Sequence, residues 1–508
     1  MKRATCIAMV FCFAVAISGC RSTDDEDPQS SSDASQPNEA RDAGVAEEAQ
    51  DAVDNERNAG PDTQDSDATV GVVRSYVFKD MVQPPRPPAE VEVPTTDGTR
   101  ELSFSLYDSQ IDAVREGNAR FAFDLYHKLV AEAESGDNLI VSPHSISVAL
   151  AMAYAGARGN TEKEMAHVLH FALSQKLLHP VFNYLALELA TRAEPSADGQ
   201  DIEQNADAEE KEDSGFQLSI VNAAWPAIGF EMVPEYIDVL QKYYNSALYP
   251  VSYEDPERAR EIINGWVAEQ TARRIDDLIP SRLLDSDTVL VLTNAVYFKA
   301  AWVNHFDESK TSDRVFHLWD GGDVTVPMME QQFDFRYAEG ESWQAVEIPY
   351  EREELSMVLI VPKAASNLTQ LEASLSYEQL SLVIEALEVR DTLIRMPKFS
   401  FKADFSLKQP LIDLGMVDAF GPADFSGITE EGGISICDVL HNAFIAVDEA
   451  GTEAAAATAV IFKTIDGGGS YEQAKITLDR PFIFLIRDNP TGAIVFLGRV
   501  VDPTAPAE

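Results

Sequence analysis

The sequence predicts an α+β fold. Three observations carry that reading. Hydrophobic residues make up 45% of the 508, enough for a large buried core. Apolar residues recur at helical spacing in some segments, and in others form continuous runs of strand-forming residues. The two kinds of segment do not alternate regularly and show no repeat, which argues against a doubly wound parallel sheet. At about 150 residues per domain, length alone would suggest three domains. With 39 Lys+Arg against 85 Asp+Glu, the formal charge is −46. Such a surface repels phosphate backbones, so DNA, RNA and polyanionic glycans are poor partners.

Residues 1–20 read as an export signal. Lys2 and Arg3 form a positive start, and Ala4 to Ile17 is apolar but too short for a spanning helix. The segment ends in Ile17-Ser18-Gly19-Cys20, which resembles the lipobox of bacterial lipoproteins. That resemblance implies that Cys20 is diacylated and becomes the new amino terminus. The protein is then expected to be exported and lipid-anchored to the cell envelope, at the outer membrane or cell surface. Arg21 and Ser22 follow Cys20, where the resemblance would associate an aspartate with inner-membrane retention. Acyl chains at roughly 0.8 kcal/mol per buried methylene hold such a protein firmly in a lipid bilayer. Cys6 and Cys12 leave with the signal, so Cys437 is the one free thiol and no internal disulfide is expected.

Of the −48 carried by residues 21–508, −12 lies in 21–70 and −8 in 193–214, leaving −28 for the rest. Residues 21–70 contain no Phe, Trp, Tyr, Leu or Ile. They cannot bury enough surface to order themselves, so a disordered acidic tether is expected. Pro84-Pro85-Arg86-Pro87-Pro88 adds a stiff element, and the tether is expected to run to residue 103, with the globular body over 104–508. The charged, apolar-poor segment 193–214 reads as an acidic surface insertion between a helix and a strand near Phe216–Trp225.

Within the body, Phe121, Leu125 and Leu129 recur at spacing four and predict a helix from Ile111 to Leu129. Ser145 to Ala157 is apolar almost all round, which predicts a buried helix. Tyr236–Tyr243 and Ala259–Thr271 read as further helices. Val289–Phe298, Ala345–Ile348, Leu355–Val361, Ala443–Asp448, Phe482–Ile486 and Ile494–Val501 read as strands.

Several blocks point to a family. Asp448-Glu449-Ala450-Gly451-Thr452-Glu453-Ala454-Ala455-Ala456-Ala457-Thr458 closely resembles the hinge of the inhibitory serpins. Asn138 to Phe171 resembles their second-helix region. Asn222-Ala-Ala-Trp225, Thr293 to Lys299 with Trp302 and Phe306, Pro397-Lys398-Phe399, Ala423 to Gly427, and Arg480 to Val500 follow in the same order. The resemblance covers about 400 residues and implies the serpin fold: three β-sheets, eight or nine helices and an exposed reactive centre loop, here 449–475. Ala300 and Arg273 stand where the family often has Gly, and Ala450 replaces a usually charged hinge residue. Glycosaminoglycan activation is not expected, because the region near the family's heparin-binding helix carries the acidic insertion.

The resemblance implies a suicide-type inhibitor of serine proteases, with cysteine proteases as the alternative class. The target cuts the loop, forms an acyl-enzyme, and is trapped when the loop inserts as a new strand and distorts the triad and oxyanion hole. An inserting strand needs alternate residues that fit a packed interior. Thr452, Ala454, Ala456 and Thr458 are small and uncharged, while Glu453, Ala455 and Ala457 form the other face. About 14 inserted residues at roughly 3.3 Å each would carry the protease some ~46 Å. Ser142, Ser145, Asn294 and His441 are implied as the polar cluster under the sheet opening. Family spacing from Gly451 places the reactive bond at Ile465–Asp466, with Lys463–Thr464 as the alternative register. Ile465 would suit elastase-like pockets and Lys463 trypsin-like ones.

A catalytic role finds no motif: no Gly-x-Ser-x-Gly, no His-Glu-x-x-His, no P-loop. His167 and His170 lack an evident third metal ligand, and no metal or cofactor is expected. A monomer whose partners are a target protease and a lipid bilayer is the leading expectation. A non-inhibitory serpin acting as a carrier or surface protein is the alternative.

Overall fold

The computed structural model describes residues 9–19, 73–77, 100–133, 136–192, 217–363, 368–452 and 473–505. Strands β1 (Met9–Gly19), β2 (Val73–Val77) and β3 (Ser103–Tyr107) precede helix α1 (Asp108–Glu132) and strand β4 (Leu139–Val141). Helices α2 (Pro143–Tyr154), α3 (Gly159–Val168) and α4 (Gln175–Thr191) follow. Next come β5 (Gln217–Pro226), α5 (Pro234–Tyr244), β6 (Ala247–Leu248), α6 (Pro256–Gln270) and β7 (Thr288–Ala301). A strand-rich stretch holds β8 (Ser312–His317), β9 (Asp323–Glu339), β10 (Trp343–Pro349) and β11 (Leu355–Pro362). It leads to α7 (Leu368–Ser374), α8 (Tyr377–Ala386), β12 (Glu388–Pro397), β13 (Phe399–Ser406) and α9 (Lys408–Leu414). The chain closes with β14 (Ile434–Val447), β15 (Gly451–Thr452), β16 (Ala474–Thr477), β17 (Phe482–Asp488) and β18 (Ile494–Val500).

These elements make the mixed α+β architecture that the sequence predicts, with nine α-helices and three sheets among the described residues. One sheet has the order β13-β14-β1-β7-β5-β6, with β15 on the end of β7. The second runs β16-β12-β9-β10-β11-β17-β18-β4, with β8 on β9. The third is the β2–β3 pair. The interior strands β11, β17 and β18 are almost wholly buried, which is why they read as unbroken apolar runs.

Helix α2 has every residue buried, as its all-round apolar sequence requires. It starts sharply because Pro143 occupies the first helical turn and the Ser142 side chain accepts from the Ser145 backbone N–H. It packs between β7, β18 and α1, directly beneath the first sheet.

Just ahead of residue 104, Arg100 Nε donates to Asn183 Oδ1 at 2.8 Å and Glu101 N to Lys242 O at 3.0 Å. Strand β2, inside the expected tether, pairs with β3 from Val73 opposite Tyr107 to Val77 opposite Ser103. The tether expectation rested on composition, and a two-stranded ladder needs only backbone partners. The rest of the expected tether, including 21–70 and the Pro-rich element, lies outside the described residues, as does the acidic insertion 193–214. The strand expected at Ala443–Asp448 begins much earlier, at Ile434. Its first half carries Asp438 and His441, which mask the pattern. Asp438 accepts from Ser406 Oγ at 2.7 Å, and His441 is fully buried with its own partner.

Candidate functional site: the loop hinge and the sheet beside it

The hinge is held at the upper end of β7. Gly451 and Thr452 pair antiparallel with Ala301 and Ala300. Gly451 has φ +152°, and a Cβ there would lie 2.3 Å from the Ala300 carbonyl oxygen, so only glycine allows this approach. Asp448 shapes the turn into it. Its carboxylate accepts from Ala450 N at 2.9 Å and Gly451 N at 3.3 Å, and its own N–H donates to Gly451 O at 3.0 Å.

Thr452 is completely buried, and its hydroxyl lies 2.7 Å from the Tyr350 hydroxyl. Tyr350 is stacked on Trp302 with centroids 4.5 Å apart and meets Phe298 edge-on. Trp302 in turn holds the hinge: its Nε1 donates to Asp448 O at 3.1 Å and its backbone N–H to Ala450 O at 3.0 Å. Burial raises the Tyr350 hydroxyl well above its ordinary pKa, so it stays a neutral donor and acceptor.

Glu449 is the electrostatic anchor. One oxygen accepts from Lys398 Nζ at 2.6 Å and the other from Thr311 Oγ1 at 2.7 Å. Burial alone would raise its carboxyl, but the Lys398 and Thr311 hydrogen bonds outweigh this and hold it below the usual range.

The polar cluster expected beneath the sheet is assembled. Ser142 N donates to His441 Nε2 at 3.1 Å, and Ser142 Oγ donates to Val495 O at 2.9 Å. Ser145 Oγ hydrogen-bonds Asn294 Oδ1, and Asn294 Nδ2 donates to Asn222 Oδ1 at 2.8 Å. Ser142, Ser145, Asn294 and His441 are all fully buried. Burial pushes His441 down to about 3, so a neutral imidazole accepts from Ser142. The cluster ties α2 to β5, β7, β14 and β18. Strands β7 and β14 both run antiparallel to β1, hence parallel to one another, with one antiparallel strand between them.

Cys20, Glu453, Ala454, Ala455, Ala456, Ala457, Thr458, Lys463, Thr464, Ile465 and Asp466 lie outside the described residues. Sequence reasoning missed the roles of Tyr350, Thr311, Asn222, Lys398 and Trp302. The last three sit in family-like blocks, which was the available signal. Tyr350 and Thr311 carry no local pattern, because their role depends on contact across more than 100 residues of chain. The positions departing from the family pattern are accommodated: Arg273 adopts φ +60°, a conformation that favours glycine, and Ala300 is fully buried opposite Thr452. His170 pairs with Asp124 at 2.7 Å, and no group of three metal-ligating side chains occurs among the described residues.

The family model described as "Serpin (serine protease inhibitor)" matches residues 116–503. This chain belongs to the serpin family. It is 38% identical over 433 residues to an uncharacterized serpin-like protein of Thermococcus kodakarensis, covering 83% of this chain and 95% of that one. Similarity to the leukocyte elastase inhibitor of Sus scrofa is 36% over 405 residues, covering 77% of this chain and all of the inhibitor. Antithrombin-III of Homo sapiens is 33% identical over 419 residues, covering 80% and 85%. Serpins are generally protease inhibitors rather than enzymes, which accords with the missing catalytic motifs.

Proposed function

We propose that this serpin is an exported, lipid-anchored suicide inhibitor of serine proteases. The single observation that carries the inhibitory reading is the hinge: Gly451 and Thr452 are already paired to β7, with Thr452 buried at the head of the strand position between β7 and β14. A cut loop entering beside β7 would extend a ladder whose first two residues are in place, into the position between β7 and β14 that β1 takes in this structure. Glu453 follows on the opposite face, and Ala454, Ala456 and Thr458 continue the small, uncharged inward set. Anchoring through Cys20 rests on the Ile-Ser-Gly-Cys pattern, and cleavage is assigned to Ile465–Asp466, with Lys463–Thr464 as the second register.

The test is incubation with an elastase and with trypsin. An inhibitor yields a covalent complex stable to boiling in detergent, together with a carboxyl-terminal fragment whose mass identifies the cut bond. Quantitative cleavage without any complex would instead favour the carrier reading. Metabolic labelling with a fatty acid, lost in Cys20→Ala, tests the anchor.

A further inference from the structure

Strand β13 ends the first sheet, and β14 is its one ladder neighbour among the described residues. Phe399 lies opposite Val447 and Ser406 opposite Leu440, and one step beyond, Leu407 N donates to Val439 O at 2.7 Å. Antiparallel bonding alternates along a strand. Phe399, Phe401, Ala403 and Phe405 therefore bond towards β14, while Ser400, Lys402, Asp404 and Ser406 turn their N–H and C=O groups outward. None of these outward backbone groups has a hydrogen-bond partner among the described residues. A groove of about 490 Å³ is lined by Phe401 to Ser406 together with Leu129, Ala133 and Asn138. Side chains alternate as well: Phe399, Phe401 and Ala403 are buried, and Lys402, Asp404 and Ser406 are exposed. No salt bridge among the described residues engages Lys402 or Asp404.

We propose that β13 is a docking edge for a second copy of this chain, joined antiparallel about a two-fold axis at Ala403. The stretch Phe399-Ser400-Phe401-Lys402-Ala403-Asp404-Phe405-Ser406-Leu407 is complementary to itself when reversed. About Ala403, Ser400 faces Ser406 of the second copy, Phe401 faces Phe405, and Lys402 faces Asp404, each pair occurring twice. Residues directly opposite stand about 4.5–5.5 Å apart at Cβ, so the opposite charges and the aromatic rings meet. In this register the outward-bonding residues pair only with one another, as a ladder requires. The two neighbouring two-fold registers centre on Lys402 or on Asp404 and set like charges face to face, which is destabilising. The residue pattern therefore selects one register. A contact of this isologous kind closes after two copies.

A lysine on an edge strand normally deters pairing; here Asp404, two residues on, removes that deterrent. Gly451 and Thr452 pair with β7, on the other side of β14, so both hinges stay uncovered. The dimer does not depend on the inhibitory reading, and it departs from the monomer expected from the sequence. Eight residues a side is well under the roughly 20–30 of a standard interface, so the dimer is weak and reversible. The formal charge of −46 also opposes association. Measurement belongs in about 0.15 M salt, where exposed charges more than about 8 Å apart are largely screened.

The test is analytical ultracentrifugation of the full-length chain over a concentration series. The parent should pass from monomer to dimer as concentration rises. Asp404→Lys sets Lys402 against a lysine, and Lys402→Asp sets Asp404 against an aspartate, so each variant alone should remain a monomer. Mixed in equal amounts, the two should pair with each other, and the double variant carrying both substitutions should dimerise as the parent does. Both positions are exposed, and melting curves should show each variant folded. A parent that stays monomeric up to millimolar concentration would overturn the proposal, as would a dimer that either single variant retains at parental strength. Failure of both the mixture and the double variant to dimerise would overturn it too, since the charges would then not face one another.

Discussion

Thr452→Arg tests the insertion chemistry most directly. Thr452 has no exposed surface, and its hydroxyl is 2.7 Å from that of Tyr350, which is itself packed between Trp302 and Phe298. The hinge carboxylates are already engaged and do not meet a guanidinium at this position: Asp448 accepts from the Ala450 and Gly451 amides, and Glu449 from Lys398 and Thr311. An uncompensated buried charge costs several kcal/mol. If about 4 kcal/mol of this is felt in the insertion barrier, insertion slows roughly 1,000-fold. Hydrolysis of the acyl-enzyme then wins the race, and the inhibitor becomes a substrate. The assay is the ratio of detergent-stable complex to cleaved chain on a denaturing gel. The melting curve of the uncut variant shows whether it is still folded. A folded Thr452→Arg chain that forms complex in the parent's yield would refute the reasoning.

Lys398→Ala should cost about 2 kcal/mol of native stability, because it leaves the Glu449 carboxylate with Thr311 alone while the half-exposed lysine is partly screened by water. Urea unfolding should register this, together with faster hydrogen exchange at the Gly451 and Thr452 amides; an unaltered midpoint would mean that the anchor carries no energy. Acid should weaken the fold well above the carboxylate range. Burial lowers His144 to about 4 and both His179 and His441 to about 3, from an ordinary 6.5. The unfolded chain therefore binds more protons below pH 6.5, and stability present above that pH is lost as pH falls toward 3–4. At pH 5 each histidine costs about 2 kcal/mol and the three together about 6 kcal/mol. A denaturation midpoint that is flat between pH 7 and pH 5 would contradict the neutral burial of these rings. Leaderless protein nicked in its loop should melt well above the uncut form, since the inserted strand completes the sheet; matching melting temperatures would argue against a metastable intact fold.

The legible parts of the sequence were those with one dominant signal. Strands β11, β17 and β18 are buried on both faces and read as apolar runs to within a residue or two. Helix α2 announced itself by its all-round apolarity. Strand β9 does not stand out in the sequence, because over its 17 residues buried and exposed positions alternate irregularly where it meets three different neighbours, β8, β10 and β12. The early half of β14 was hidden by Asp438 and His441, polar residues whose partners lie on β13 and at the start of α2. The candidate site divides in the same way. Gly451 and Thr452 stood out from local residue types, whereas Tyr350, Thr311 and Lys398 did not.

The sequence by itself determined the fold class, the family blocks and the chemistry an inserting strand requires, because these depend on residue type and short-range order. Tertiary structure decided how the hinge is held: a glycine pressed against the Ala300 carbonyl, a threonine under Tyr350, and a glutamate clamped by Lys398 and Thr311. It also decided which strands pair with which, such as β7 with β5 and β13 with β14, since strand register is a relation between segments far apart in the chain. Such relations follow from packing and backbone pairing across the sheet, and no local pattern encodes them.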